Sequence, residues 1–548
     1  MKPMRNLRRL SPRCAATTAA ALALTTGFAA SQLTAASSDQ SNWPSYNRTL
    51  TSERYSSLDA INPTNVARLA AICTFDTGQE TGFQTGLVEV DGALFFTTEQ
   101  DTFSVDPNTC QKNWQVHENT PLSTLRVNRG VAVMGGRVFR GTSDGRVIAY
   151  DERTGRQQWA TSIADPAKGE TVPAAPIAWN GMVFIGNAGG DNKGVKGRMY
   201  ALDASNGNIM WEFYLVPKSP DDVTRGPQAN SVPESLAASW MNANGFPITG
   251  GATWTSYTLD PATGLLYVPG GNPAPDFVKD YRAGDNLFTG SIVVLDARTG
   301  AYRRHFQLVR RDFHDWDVST APTLFTSSSG VRMMAAAPKD GHLYGFDLDS
   351  NRQLYRMPVT TISNAEEPLT QAGTRFCPGS QGGAEWNGPV YDPMHHTVLT
   401  GEVDWCTTVR TDPKETIQNV SLGQPWSGSQ DGFGKQDDPS GWAGWLTASD
   451  AATGAKKWQF KAPYPLMGGI TPTAGGVVFF GDMGGNFYAF DSSNGTQLFS
   501  TKLPGAIGGG VITYDTGAGQ RVAIASGMTS PIWPTPKVTA HVVVLGLR

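Results

Sequence analysis

The chain has 548 residues, 61 of them glycine and only 17 % charged, with a formal net charge of −4. That acidic balance argues against nucleic acid as a partner. So many glycines with so few charges suit a turn-rich all-β chain.

Residues 1–36 open with Lys2, Arg5, Arg8, Arg9 and Arg13 and no acidic residue, continue through a small apolar run from Ala15 to Ala30, and end in small residues. This is the order of a secretory signal, cut between Ala30 and Ala36, and the run is too short and too rich in Ala and Thr to span a membrane well. The expectation is a signal peptide at 1–36 and one domain at 37–548, placed in the periplasm or otherwise secreted. Without that segment 39 basic residues face 48 acidic ones, a net of −9, which would suit a basic soluble partner. Four cysteines remain, Cys73, Cys110, Cys377 and Cys406. In an exported chain they predict two disulfides, with three pairings open. No later apolar segment is long enough to predict a membrane span.

One phrase then recurs: a β-branched or aromatic run, a Gly turn, a second strand ending in Asp, then a turn and an aromatic residue. Gly136–Trp159 reads GRVFRGTSDGRVIAYDERTGRQQW and Gly476–Phe499 reads GVVFFGDMGGNFYAFDSSNGTQLF. Weaker copies end at Trp114, Trp211, Phe306, Tyr355 and Trp458, and the copies align on Asp106, Asp151, Asp203, Asp296, Asp347, Asp450 and Asp491. Period-2 strands joined by Asn-Gly, Thr-Gly or Asp-Gly turns are hairpins, and their repetition predicts an eight-bladed β-propeller of four-stranded antiparallel blades. The terminal aromatic residue is read as a wedge docking each blade on its neighbour. Seven copies are visible; the eighth blade is expected to close by pairing Val542–Leu547 with residues near Trp43–Tyr55, leaving no free sheet edge. No segment sustains a 3.6-residue period over three turns.

Two copies carry insertions just after the first strand of the phrase. NAGGDNKGVKG follows VFIG, and GNPAPDFVKDYRAGDNLFTG follows LYVPG. Equivalent points in neighbouring blades face one end, so Asp191 and Asn272 should converge there as hard oxygen ligands suited to Ca²⁺. Further on, RDFHDWDVST places Asp315 and Asp317 around Trp316, where a carboxylate near a metal could act as a general base. His314 is expected to be structural, because no second His stands at ligand spacing. No Walker loop, GxSxG or strand–GxGxxG–helix unit occurs, which sets aside nucleotide and Rossmann chemistry. No CxxCH occurs either, so no covalently attached haem is expected.

These segments carry a family resemblance. From about Asn42 to the C-terminus the chain resembles the pyrroloquinoline quinone (PQQ)-dependent alcohol dehydrogenases, the methanol and ethanol dehydrogenase group, most closely in NRTLTSERYSSLDAINPTNVARL, VNRGVAV, GNPAP with AGDN, HDWD, and TAGGVVFFGDMGGNFYAFD. The resemblance implies an alcohol substrate, PQQ and Ca²⁺ as cofactors, and a soluble cytochrome c as external electron acceptor. It assigns Asp191, Asn272 and Asp317 to the metal, Asp317 to catalysis as base, and Arg129, Trp254, Lys339 and Glu385 to the quinone, with Trp254 beneath the ring. The roles cohere chemically: a cation and basic side chains answer the cofactor's three carboxylates, and a Lewis acid on the quinone oxygen activates the neighbouring carbonyl. The same resemblance pairs Cys377 with Cys406, leaving Cys73 with Cys110. Ser319 stands where lanthanide-using members carry an additional Asp, which favours calcium.

The departures are specific. Ser123-Thr124 replaces a vicinal Cys-Cys pair, Asp191 replaces a Glu, Gln84 replaces another Glu, and Glu385 stands where an Asn is expected. Asp276-Phe277 stands where a bulky Trp is common, which predicts a roomier pocket and alcohols larger than methanol. The alternative reading, resting on Ser123-Thr124 and Glu385, is a non-catalytic propeller acting as a binding or scaffold protein of the cell envelope.

Overall fold

The computed structural model describes residues 41–548 other than Gln228 and Asn244; the expected signal peptide at 1–36 lies outside the described residues. The phrase read from the sequence supplies the second, third and fourth strands of a sheet, and a short first strand precedes it. In one sheet Ala132–Met134, Arg137–Gly141, Arg146–Asp151 and Gln157–Ser162 pair in chain order, all antiparallel. Among the described residues, eight sheets contain four antiparallel strands of this kind, one of them extended by a parallel fifth, Ala229–Ser231. A smaller three-stranded sheet (Thr374–Phe376, Thr407–Val409, Lys435–Gln436) stands apart from this series. First strands of successive sheets touch, Ala132–Met134 lying against Val88–Val90 and Ile177–Trp179. The architecture is all-β and propeller-like, and among the described residues its α-helices are the single-turn Glu234–Ala237 and the six-residue Lys414–Asn419.

Burial follows from the stacking. Second strands such as Val477–Gly481 are buried throughout, because neighbouring sheets cover both faces, and they read as continuous apolar runs rather than alternations. Fourth strands alternate: in Gln157–Ser162 only Trp159 is buried. Its indole Nε1 donates to the Ala204 carbonyl at 3.1 Å, Trp211 to Ala297 at 2.9 Å, and Trp458 to Ser492 at 3.1 Å. Each acceptor follows the phrase-ending Asp of the next sheet, so the wedge both packs and satisfies a backbone group. The turn beneath must be glycine: Gly207 has φ +77°, and a Cβ there would lie 2.5 Å from the Trp159 ring.

Closure differs from the expectation in its partner. His541–Leu547 pairs antiparallel with Leu69–Asp76, not with residues near Trp43–Tyr55. The earlier segment cannot be a strand, because Arg48, Ser52 and Arg54 have positive φ and Arg54 is buried, bonded to the carbonyls of Tyr46, Ile470 and Val511. Cys73, in the closing outer strand, is bonded to Cys110, and Cys377 to Cys406. Loops of 37 and 29 residues closed this way stabilise by about 4 kcal/mol each in the chain-entropy account.

Candidate active site

In an antiparallel meander the chain entering the first strand and the loop joining the second strand to the third lie at the same end of the sheet. Both kinds of segment converge on one cavity of about 290 Å³. Gln84, Arg129, Trp254, Asp317 and Glu385 come from entering segments of different sheets; Asp191, Asn272 and Lys339 come from second-to-third loops. All eight residues line it, so every cofactor, metal and catalytic position expected from the sequence is brought to a single place.

One wall is acidic. The Asn272 backbone N–H donates to Asp317 Oδ1 at 2.9 Å, and its Nδ2 donates to Asp276 Oδ1 at 3.0 Å. Gly271 permits the first contact, since a Cβ there would stand 2.6 Å from Asp317 Oδ1. Asn272 also bonds to the Asp191 side chain. Carboxylate oxygens of Asp191, Asp276 and Asp315 lie within 4.8 Å of one another. Lys339 Nζ stands 2.8 Å from Asp317 Oδ2 and 3.4 Å from Asp315 Oδ2. Burial, and then the Asp317 charge, push the Asp191 carboxyl up to about 6. Burial likewise holds the Asp276 and Asp315 carboxyls well above the usual range. Burial works against the Lys339 ammonium, yet Asp315 and Asp317 outweigh it and keep the group charged.

The other wall is aromatic and basic. Arg129 stacks over Trp254 and Trp386, its carbon Cζ 4.5 and 5.4 Å from the ring centres. It donates to the Trp254 carbonyl at 3.0 Å and to Gln84 Oε1 at 2.7 Å. Burial lowers its guanidinium to about 10. Glu385 is pushed up to about 7 by burial, with Lys339 opposing the shift. Arg129 Nε and Glu385 Oε1 are buried without a partner among the described residues. Ser123 and Thr124 also line the cavity, near the apolar Leu125, Phe433, Ile532 and Trp533.

Sequence reasoning assigned neither Asp315, which lines the cavity, nor Asp276, which lies behind its wall bonded to Asn272, to the site. Asp315 was read only as the neighbour of Asp317, and Asp276 only as part of a substrate wall; the available signal was the Asp directly after GNPAP. Phe277 is a correction. It packs in a core cluster with Trp316 and Phe306 and does not line the cavity, so pocket size cannot be read from that position. His314 is held by ring packing more than by hydrogen bonding: it stacks on Trp316 at 4.1 Å, and its Nε2 has no partner among the described residues.

The residues present fit a quinone and a hard cation. Buried cationic groups lie beside a flat indole, and several carboxylate and amide oxygens meet at one point, with unpartnered buried atoms on both walls.

Comparisons with known proteins point to a family. Residues 43–362 match the family model described as "PQQ: Glucose/ethanol/alcohol dehydrogenase, beta-propeller domain", and residues 443–529 match one described as "Outer membrane protein assembly factor BamB". The dehydrogenase subunit of the quinone-dependent alcohol dehydrogenase of Gluconacetobacter polyoxogenes is 31% identical over 539 residues, covering 89% of this chain and 71% of that protein. The lanthanide-dependent methanol dehydrogenase of Methylacidiphilum fumariolicum (strain SolV) is 27% identical, covering 89% and 84%. A solved europium-containing methanol dehydrogenase superposes with a TM-score of 0.81 at 25% identity, covering 93% of this chain and 98% of that one.

Proposed function

The chain belongs to the PQQ-dependent alcohol dehydrogenase family, and from that premise we propose that it is a periplasmic, eight-bladed enzyme oxidising an alcohol to the aldehyde. Its cofactors are PQQ and a hard cation of the calcium or lanthanide kind. The observation that carries the reading is the convergence of Asp191, Asn272, Asp317, Arg129, Trp254, Lys339 and Glu385 on one cavity.

When bound, PQQ supplies an electrophilic carbonyl and accepts the hydride equivalent. The chain's own residues do the rest. Trp254 offers a flat surface that fixes the plane of a ring, and Arg129 is held against that indole by stacking and by its bond to the Trp254 carbonyl. Asp191, Asn272 and Asp317 offer oxygen ligands to the cation. Asp317 takes the hydroxyl proton, its two oxygens oriented by the Asn272 N–H and the Lys339 ammonium.

Two electrons leave for an external one-electron carrier, for which a soluble cytochrome c is the reading, supported by the acidic surface expected of the exported chain. Periplasmic placement rests on the signal-like N-terminus and the two disulfides. Among the described residues no helix is long and apolar enough to cross a membrane. A preference for alcohols larger than methanol rests on the apolar rim of Leu125, Phe433, Ile532 and Trp533. The envelope-scaffold alternative is not favoured, since it gives no reason for these buried charges to meet.

The test is reconstitution of purified protein with PQQ and either CaCl₂ or a lanthanide chloride, followed by dye reduction with primary alcohols of increasing length. Alcohol-dependent reduction is expected. Absence of stoichiometric PQQ binding with both ions would end the proposal.

A further inference from the structure

The second-to-third loops that bring Asp191, Asn272 and Lys339 to the cavity have counterparts in two further sheets. Glu99 lies in the loop between Ala93–Thr97 and Asp101–Val105, and Trp533 in the loop between Gln520–Ser526 and His541–Leu547. Both residues line the cavity. Their sheets adjoin: the Gly510 N–H donates to the Thr85 carbonyl at 2.8 Å, and the Thr529 N–H to the Thr81 carbonyl at 2.9 Å. Followed from contact to contact, the sheet that carries Asp317 and Lys339 stands four further on from that of Glu99. A molecule reacting at Asp317 must therefore extend across the cavity to reach Glu99 and Trp533.

Each of these two residues holds a buried polar atom that the protein leaves unmatched. Glu99 is 3% exposed; its Oε1 accepts from the Ser123 N–H at 2.6 Å, and its Oε2 has no partner among the described residues. Arg140 lies close but is occupied elsewhere, donating to the carbonyls of Thr98, Glu99 and Gly141 and to the Thr102 hydroxyl. Trp533 is 4% exposed, its ring packed edge-on against Trp386 at 5.7 Å, and its Nε1 likewise has no partner among the described residues. A buried acceptor and a buried donor are each costly while unpaired, so a ligand that satisfies both is favoured. A hydroxyl does so, because it donates and accepts. An ammonium only donates, and would leave the indole N–H unmatched.

We propose that Glu99 and Trp533 form a subsite for a second hydroxyl, so that the substrate is a diol or a longer polyol. One end is oxidised beside Asp317, and the remote hydroxyl donates to Glu99 Oε2 and accepts from Trp533 Nε1. The inference rests on the dehydrogenase reading and names its substrate class. The remote hydroxyl takes no part in the redox step, and the apolar Leu125, Phe433 and Ile532 suit the carbons between the two ends.

The test measures dye reduction by the PQQ- and cation-loaded enzyme with α,ω-diols from propanediol to hexanediol, each against the 1-alcohol and the amino alcohol of equal length. At the length that spans the cavity, the diol should exceed the 1-alcohol by about 10–100-fold in kcat/KM, as expected for a hydrogen bond to a carboxylate. Glu99→Gln keeps an oxygen for the Ser123 N–H and puts an amide NH₂ where Oε2 stood. The preference should vanish through a raised KM for the diol, because a bond at the remote end is equal in the ground and transition states. An unchanged thermal unfolding temperature certifies the fold of that variant. Should it fail to fold, Trp533→Phe, which keeps a ring and deletes the donor, is judged by the same loss of preference. No diol preference at any length, a preference retained in a folded variant, or an amino alcohol ranking above the diol overturns the inference alone. Failure to retain PQQ, or a loaded protein that oxidises none of these alcohols, overturns the dehydrogenase reading and this inference with it.

Discussion

Two walls meet in the cavity, and they handle charge in opposite ways. The basic wall is largely self-sufficient: Arg129 lies on two indoles and donates to Gln84 and to a backbone carbonyl. The acidic wall is not, because Asp315 and Asp317 share one ammonium, Lys339, while the Asp191 and Asp276 carboxylates crowd beside Asp315. Lys339 touches both, its Nζ lying 5.6 Å from the Trp254 ring centre. The difference teaches where the site depends on what it binds. One wall is preorganised by the fold, and on the proposed function the other is completed by a cation.

Breaking each wall should therefore read out differently. Asp317→Asn removes the proton acceptor while keeping its shape, and kcat should fall by about 10³–10⁴-fold with PQQ still bound, measured by dye reduction beside the quinone absorbance. Lys339→Met leaves Asp315 and Asp317 unpaired in the interior, so the metal-free protein should lose about 3–5 kcal/mol of stability. Added cation should restore much of that loss, and thermal unfolding with and without the ion checks it; no recovery would mean the acidic wall does not depend on a cation. Glu385→Gln sharpens the contrast through pH. The Glu385 carboxyl, near Lys339, Asp317 and Arg129, is raised from 4.5 to about 7, so the folded state holds a proton that the unfolded state has released across that interval. Wild-type stability should fall by about 3 kcal/mol as pH rises from 4.5 to 7, and the Gln variant should lack this component of the slope. The smallest effect is expected for Arg129→Lys, which keeps the charge but not the planar stacking; PQQ affinity should weaken by about tenfold in an equilibrium titration.

Much of the fold was legible because the repeat obeys a local rule. A terminal Asp accepts backbone N–H bonds from the turn that follows, as Asp106 does from Asn108 and Thr109, and the next strand carries its wedge at a fixed distance. The closing pair was misplaced because Leu69–Asp76, although it ends in an Asp that accepts the Gly78 N–H, has its pairing partner at the far end of the sequence rather than in an adjacent hairpin, while the aromatic Trp43–Tyr55 looked more like a strand than it is. In the site, the expected positions came from a resemblance and meet in one cavity. Asp276 and Asp315 escaped notice because their role depends on loops of different sheets approaching within a few ångströms, and spacing along the chain carries no information about that approach. Phe277 failed for the converse reason: adjacency to a site motif does not say which way a side chain turns.

The pairing of Leu69–Asp76 with His541–Leu547 has a consequence for assembly. The seam of the ring is sewn by one of the earliest strands and the last, so during synthesis the sheets can form only an open arc. Trp533, which walls the cavity, sits in the connection leading into that final strand. The pocket is thus finished only once that strand has been made, and the cofactor must be captured after it pairs with Leu69–Asp76.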